Sequence, residues 1–587
     1  MMMKKLFLLF WLALLSVNAA AQLANKSSAQ NSEKLQQIAD EVWQRKSQTP
    51  AQRLEQGLPV AELPHWSQAR VEAEAAFARD VLKKLEAIHE ASLSHEESLT
   101  LGMLRWDARN TIEDAKYFRL RSPITPYSMF LTGVHRVFQS FRFVQAADAE
   151  RYLDLLSEYP RLCEEIIGHL WRQSALGLAL PKEEIDNLTP SLKGFLRESA
   201  GSLFNVSDQR LTALDAQAAA KFRQQLTTEI AERTNPALER LIAYVTGAYR
   251  ANAPDAVGLW QYPNGTDYYR HLVRLHTTMD ITPEAVHEIG LREVARIDRK
   301  MAEVRARLGF RGTKAEFHKF VKTDSRFFPK TPEEIRAKLL GFANSINPKL
   351  ERFFLTRPRA AFDTQRLSPA LEASMTFGYY DRPRPGAQVG TYFFNGSKLE
   401  ERSLLQAEGL IYHELVPGHH FHIASQLENE SLHPIRKTFF PTAFTEGWAA
   451  YASVLGRELG QYQDLYDLYG HLFMEMMISV RLVVDTGMNH LKWPRARAME
   501  MMREHTLHSE TEIQTETLRY ATDIPGQALA YKMGELRILE LREQARKSLG
   551  EKFDIRRFHQ AVLGSGALPM SLLEQRINQF VAEEKKR

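Results

Sequence analysis

Apolar residues spaced three and four apart recur along most of this 587-residue chain, and that period suits helices rather than strands. Val71 to Ile88, Ala149 to Trp171 and Ala218 to Tyr249 carry it in the first half and predict amphipathic helices of a bundle-like region. Thr282-Pro283-Glu284 reads as a helix start: a capping hydroxyl, a proline in the first turn and an acid that suits the helix dipole. The helix it opens should run to about Leu308. Further helices are predicted at about Ser403 to Gln426, Ala443 to Leu459, Gln463 to Gly487, Arg495 to Leu507, Gln527 to Leu549 and Leu568 to Glu583.

One stretch breaks the pattern. From Ala373 to Asn395 the chain has Gly, Pro and aromatic residues, with β-type runs at Ser374 to Tyr380 and Val389 to Phe394. A small sheet or hairpin is expected there. The run Gly390-Thr-Tyr-Phe-Phe-Asn395 suits an edge strand that binds an extended peptide through its backbone, or equally a buried core strand. The predicted fold is therefore mainly α, with a small β-sheet or hairpin just before the helix expected from Ser403, and the length of the chain allows a deep central cleft.

The chain is long enough to bury a large core. Its start reads as a secretory signal over residues 1–21: Lys4 and Lys5, an apolar run from Leu6 to Val17, then Ala19-Ala20-Ala21. That run is shorter than the roughly 20 residues a membrane span needs. No cysteine follows it to carry a lipid. A polar, flexible leader is expected over 22–52, an N-terminal helical region over 53–260 and a catalytic helical region over 261–587, the two closing as one unit. The mature chain should be periplasmic or secreted, with no membrane partner.

Lys plus Arg number 76 against 72 Asp plus Glu, a net +4 spread without a basic stripe, which argues against nucleic acid as a partner. The single cysteine, Cys163, excludes an internal disulfide and a Cys-ligated zinc finger. Any metal must use histidines and carboxylates.

The chemistry concentrates in His413-Glu414-Leu-Val-Pro417-Gly418-His419-His420. Zinc peptidases of the His-Glu-x-x-His type put two histidines one helical turn apart, with the Glu beside the metal. Here Pro417 stands where the second histidine belongs. On an ideal helix a residue six further on is rotated about 120° away, and one seven further on lies about 10 Å along the axis. Pro417 and Gly418 force a bulge or break that can return His419 to the metal, with His420 as the alternative.

The predicted third ligand is Glu446, in Thr445-Glu-Gly-Trp-Ala-Ala-Tyr451, with Glu458 a weaker alternative. Glu414 is placed as general base. Tyr531, Arg481 and Tyr392 are candidate oxyanion donors; Arg481 could instead grip a substrate carboxylate, or pair with Asp485 four residues on.

These motifs, with Arg481-Leu-Val-Val-Asp-Thr-Gly487, Pro525-Gly-Gln-Ala-Leu-Ala-Tyr531, Phe558-His-x-x-Val-Leu-x-x-Gly-Ala-Leu-Pro569 and the earlier His276-Thr-Thr and His287-Glu-x-Gly290, resemble the bacterial domain of unknown function 885 family. The resemblance implies a helical metallopeptidase-like fold, similar to thermolysin-related carboxypeptidases and oligopeptidases that close two helical halves over a channel. It implies roles for His413, Glu414, His419 and Glu446 and favours His419 over His420. It extends less directly to Tyr531 and Arg481. The chain departs from the family pattern at Ser453 and Val454, where many members place another acid.

The function expected is Zn2+-dependent hydrolysis of peptide bonds in short oligopeptides. A zinc amidase or esterase acting on a small molecule or cell-wall fragment, and a non-catalytic exported binding protein, are the competing readings.

Overall fold

The computed structural model describes residues 28–587 apart from 128, 198–200, 369–371, 373–377 and 385–387. The signal-peptide reading of 1–21, the first part of the leader and residues 374–377 of the expected strand lie outside the described residues. Helices dominate, joined by one three-stranded sheet.

Thr282 accepts from the Ala285 N–H and opens the helix Pro283–Arg307, as its capping chemistry dictates. The segment expected as one helix from 149 to 171 divides at Glu158 into Asp148–Ser157 and Tyr159–Ala175, with Pro160 in the first turn of the second, where a missing N–H does no harm. That from 218 to 249 is helical throughout but includes π turns at Ile230–Thr234 and Val245–Tyr249.

Residues 28–47, expected as part of a flexible leader, are helical. Leu35, Ile38, Ala39 and Val42 make a narrow buried stripe at helical spacing. The Gln, Glu and Lys residues between them face solvent, and that polar majority masked the stripe.

Val60 to Ala253 contribute a separate hydrophobic core. A second core joins the 28–47 helix and the helices Gln68–Glu86 and His95–Asp114 to residues 335–354 and to much of 392–580. The chain thus folds back on itself: Ser565 Oγ donates to Glu96 Oε1 at 2.6 Å across 469 residues of sequence. A third core packs Pro283–Arg307 against the helix Leu465–Asn489. Between the first core and the others lies a cleft of about 2320 Å³, with Trp66, Tyr127 and Phe130 on one wall and Tyr380, Arg402 and Thr515 on the other.

The sheet has the order β1-β3-β2, with β1 Ala361–Arg366 parallel and β2 Gly378–Asp381 antiparallel to β3 Val389–Phe394. β3 is the central strand, with Tyr392 and Phe394 buried. Of the two readings of Gly390 to Asn395, the buried core strand holds and the edge strand is corrected. Its error has a cause: β1 reads Ala-Phe-Asp-Thr-Gln-Arg, too polar to announce a strand, and its pairing closes the edge of β3. The edge that meets the cleft is β2, through Tyr379, Tyr380 and Asp381.

Candidate metal centre

His413 lies in the last turn of the helix Ala407–Glu414, and His419 opens the helix His419–Glu428. Between them the chain leaves helical geometry, with Leu415 at φ −108°, ψ −94° and Gly418 at φ −81°, ψ −127°. A β-carbon on Gly418 would stand 1.9 Å from the His413 carbonyl oxygen and 2.4 Å from that of Tyr412. Only glycine lets the backbone double back this closely. The buried Trp448 indole donates to the Pro417 carbonyl at 2.9 Å and holds the turn.

The turn brings the two imidazoles together, with ring centroids 4.7 Å apart and planes at 84°. Glu446 approaches from the helix Thr442–Leu455. Its Oε2 is 3.6 Å from His413 Nε2 and 3.3 Å from His419 Nε2, and one ligand atom from each of the three residues lies within 4.8 Å of the others. Ligand atoms bound at about 2.0–2.1 Å to a tetrahedral zinc stand roughly 3.3–3.4 Å apart, so this spacing fits.

A second observation agrees: Glu446 Oε2 is enclosed without a hydrogen-bond donor of its own. A buried carboxylate oxygen aimed at two imidazole nitrogens suits a shared cation. The donor set is right for zinc and also admits other transition ions. Among the described residues His419 Nδ1 has no hydrogen-bond partner, so packing holds that ring, with the Tyr380 ring nearly parallel at 6.5 Å.

Burial opposes charge on Glu446, yet His419 and His413 hold its carboxyl far below the usual range. On His419 burial pulls downward, and Glu446 with Glu414 outweighs it, so its pKa is raised. Glu414 goes the other way from Glu446. Burial pushes its carboxyl up against the two histidines, and the Glu446 charge adds to the rise. The two acids of the pair are shifted in opposite directions, the kind of split that separates a ligand from a proton carrier.

Tyr531, on the helix Leu529–Leu549, lies parallel to His413 with centroids 6.1 Å apart. Its helix crosses that of Glu446 at two glycines. A β-carbon on Gly447 would stand 2.5 Å from Gly534 backbone, and one on Gly534 2.0 Å from the Ala443 carbonyl. Arg481 sits behind Tyr531, its guanidinium 5.0 Å from the ring centre, and is engaged by Tyr520 at 2.7 Å and Glu516 at 3.0 Å. Arg481 does not pair with Asp485. That carboxylate accepts from the Tyr269 hydroxyl and the Gly526 N–H.

His420 and Glu458 are engaged away from the three converging side chains. His420 has its Nε2 3.0 Å from the Ala360 carbonyl and its Nδ1 3.0 Å from the Tyr380 hydroxyl. Glu458 pairs with Arg542. Tyr392 and Tyr380 are both pushed up chiefly by burial, with Glu414 close enough to add to the shift.

Several motif residues are structural. His559 joins Tyr451 to the Phe353 carbonyl, and Gly290 lets Pro283–Arg307 approach Leu482 and Val483. Sequence reasoning missed Tyr380 at the cleft and Arg519 behind its wall. Neither sits at a spacing that marks it. It also missed a buried ion cluster in which Lys532 meets Glu535 at 2.8 Å, with Glu293 and Glu475 at 3.7 and 4.0 Å.

The fold and these motifs define a large helical bacterial protein with one candidate metal centre among the described residues. The chain belongs to the family described as bacterial protein of unknown function DUF885, whose model matches residues 50–577. A candidate lipoprotein from Colwellia psychrerythraea is similar at 25% identity with a TM-score of 0.87, over 95% of this chain and 100% of that one. A second candidate lipoprotein, of unknown function, from Shewanella oneidensis shares the fold at 18% identity and a TM-score of 0.69, over 93% and 99%. No curated protein matches the chain.

Proposed function

We propose that the protein is a zinc-dependent peptidase that hydrolyses short peptides. The observation that carries this reading is the convergence of His413, His419 and Glu446, with Glu414 beside them at a different protonation bias. His413, His419 and Glu446 would hold the ion, which when bound supplies Lewis acidity toward a carbonyl and a water.

Glu414 takes the proton of the attacking water and returns it to the departing amine. Its raised pKa brings proton transfer nearer to neutral pH. The Tyr531 phenol, stacked beside His413, donates to the oxygen that gains charge as the carbonyl becomes tetrahedral. Arg481 keeps that ring in place and acts through it. The cleft is lined by Tyr380, whose ring stacks on His419, and not by the three candidate ligands themselves. Its volume of about 2320 Å³ exceeds the roughly 300–1,000 Å³ typical of small-molecule pockets and favours an extended peptide. The edge strand β2 lines it and offers backbone groups to such a chain.

We also take the protein to act outside the cytoplasm, on the likeness to two candidate lipoproteins. No helix among the described residues is long and apolar enough to cross a membrane. Cys163 is buried in the first core, so its thiol cannot carry a lipid.

The test combines metal analysis with a peptide library. Purified protein should contain one zinc per chain. Glu414→Gln should keep that zinc and lose about 10²- to 10⁴-fold in turnover. Absence of metal together with absence of turnover would leave a binding protein, and cleavage of esters or cell-wall fragments without peptides would replace the substrate class.

A further inference from the structure

Beyond Tyr531, on the side away from the metal ligands, two arginines share a single acid. Glu516 Oε2 accepts from Arg481 at 3.0 Å and its Oε1 from Arg519 at 3.2 Å. The Tyr520 hydroxyl also contacts Glu516 and accepts from Arg481. The remaining contact of the Arg519 guanidinium is neutral, its second NH2 group donating to Gln527 Oε1 at 3.0 Å. Two cations thus touch one carboxylate in a place where all three side chains are only 8–12% exposed, and the other acid that acts on Arg519, the buried Asp485, is engaged by Tyr269 and Gly526.

Excess positive charge is costly to bury unless an anion joins it. Arg519 Nε is enclosed and has no hydrogen-bond partner among the described residues. The Arg519 side chain ends 4.9 Å over the ring of Tyr127, which lines the cleft, and Thr515, one turn earlier on its helix, lines the cleft as well. The cation therefore lies directly behind the part of the cleft wall made by Tyr127 and Thr515, its side chain 12% exposed, and is reached from the candidate centre by two ring contacts, Tyr531 on His413 and Arg481 on Tyr531.

We propose that Arg519, backed by Arg481, is a subsite for a carboxylate of the substrate, so that the enzyme selects peptides with an anionic group just beyond the bond it cuts. This rests on the peptidase reading and sharpens it. A free C-terminus and an acidic side chain offer the same carboxylate chemistry. The first would make the protein an exopeptidase acting near the C-terminal end. Guanidinium pairs a carboxylate through fixed parallel donors, and hydrogen bonds of that charged kind are worth roughly 10- to 100-fold in selection.

The experiment uses three peptides on the full-length, zinc-loaded protein: N-acetyl-tetra-alanine as the free acid, its C-terminal amide, and that amide with Glu as the last residue. Turnover is measured on the wild type. Binding is measured by calorimetry on Glu414→Gln, which needs no turnover. The acid should exceed the amide roughly 10- to 100-fold in kcat/KM and in affinity. Recovery in the Glu amide would mean that a side-chain carboxylate also serves, and none that the C-terminus alone does.

Arg519→Gln should bring the acid-to-amide ratio near one, mainly through KM, while Arg519→Lys should keep part of it. A wild-type ratio near one overturns the subsite by itself, as does an undiminished ratio in Arg519→Gln. If acid and amide are cut equally, the subsite falls and the peptidase stands. If nothing is cut but the acid binds through Arg519, the subsite stands and the peptidase falls.

Discussion

His419 and His420 are neighbours in sequence with opposite surroundings. His419 turns its Nε2 toward Glu446, while His420 is held between the Ala360 carbonyl and the Tyr380 hydroxyl. His420→Ala should therefore leave zinc content near one per chain and lose about 1–3 kcal/mol of stability through its two contacts. His419→Ala should abolish stoichiometric zinc. Metal analysis and denaturant unfolding on the two variants separate these outcomes, and loss of zinc in both would return His420 to the ligand set. The ligand types were legible in the sequence because His, Glu and a helix breaker carry their chemistry in their identity. The choice between adjacent histidines was legible only as a preference for His419, since the direction in which the chain leaves the break depends on Gly418 and on Trp448, which lies thirty residues beyond it. Arg519 and Tyr380 were illegible for a related reason: an arginine or tyrosine acquires meaning only from what tertiary packing leaves unsatisfied around it.

Among the helices, the crossing of Thr442–Leu455 with Leu529–Leu549 sets the spacing between Glu446 and Tyr531. Gly447 and Gly534 meet there backbone to backbone, and a methyl group on either would press on main chain rather than on a side chain that could move. Gly447→Ala should cost about 1–3 kcal/mol in unfolding free energy, the usual range for overpacking, and lower turnover by widening the gap between the two residues. Unchanged stability and activity would mean that the helices slide apart freely. Helix period and caps made these elements readable, including the Thr282 start. The sheet was only half readable. β3 has the aromatic and β-branched residues of a strand, whereas β1 is polar and owes its conformation to its partner. The 28–47 helix was missed because four buried residues are outvoted by their polar neighbours in any average of composition.

On the scale of the whole molecule, the unit of Val60 to Ala253 meets the rest partly through carboxylates. Glu184 is fully buried, accepts from the Thr522 hydroxyl at 2.8 Å and has its other oxygen unsatisfied. Burial, with Asp523 adding, raises its pKa from 4.5 to about 7. A folded-state value above the unfolded one gives stability that is complete below about pH 4.5 and lost as pH climbs to about 7. Glu184→Gln carries no such charge, so its Tm advantage over the wild type should grow between pH 5 and pH 8, by on the order of 3 kcal/mol in stability. A Tm difference constant across that range would exclude Glu184 as the cause. A further consequence follows from Glu96 bonding Ser565. Segments 469 residues apart in sequence are neighbours in space, and the Glu446 helix leans on Leu529–Leu549. Any metal at His413, His419 and Glu446 would thus be held by distances that long-range packing sets, so its binding should report on the folding of distant segments and be lost when they are loosened.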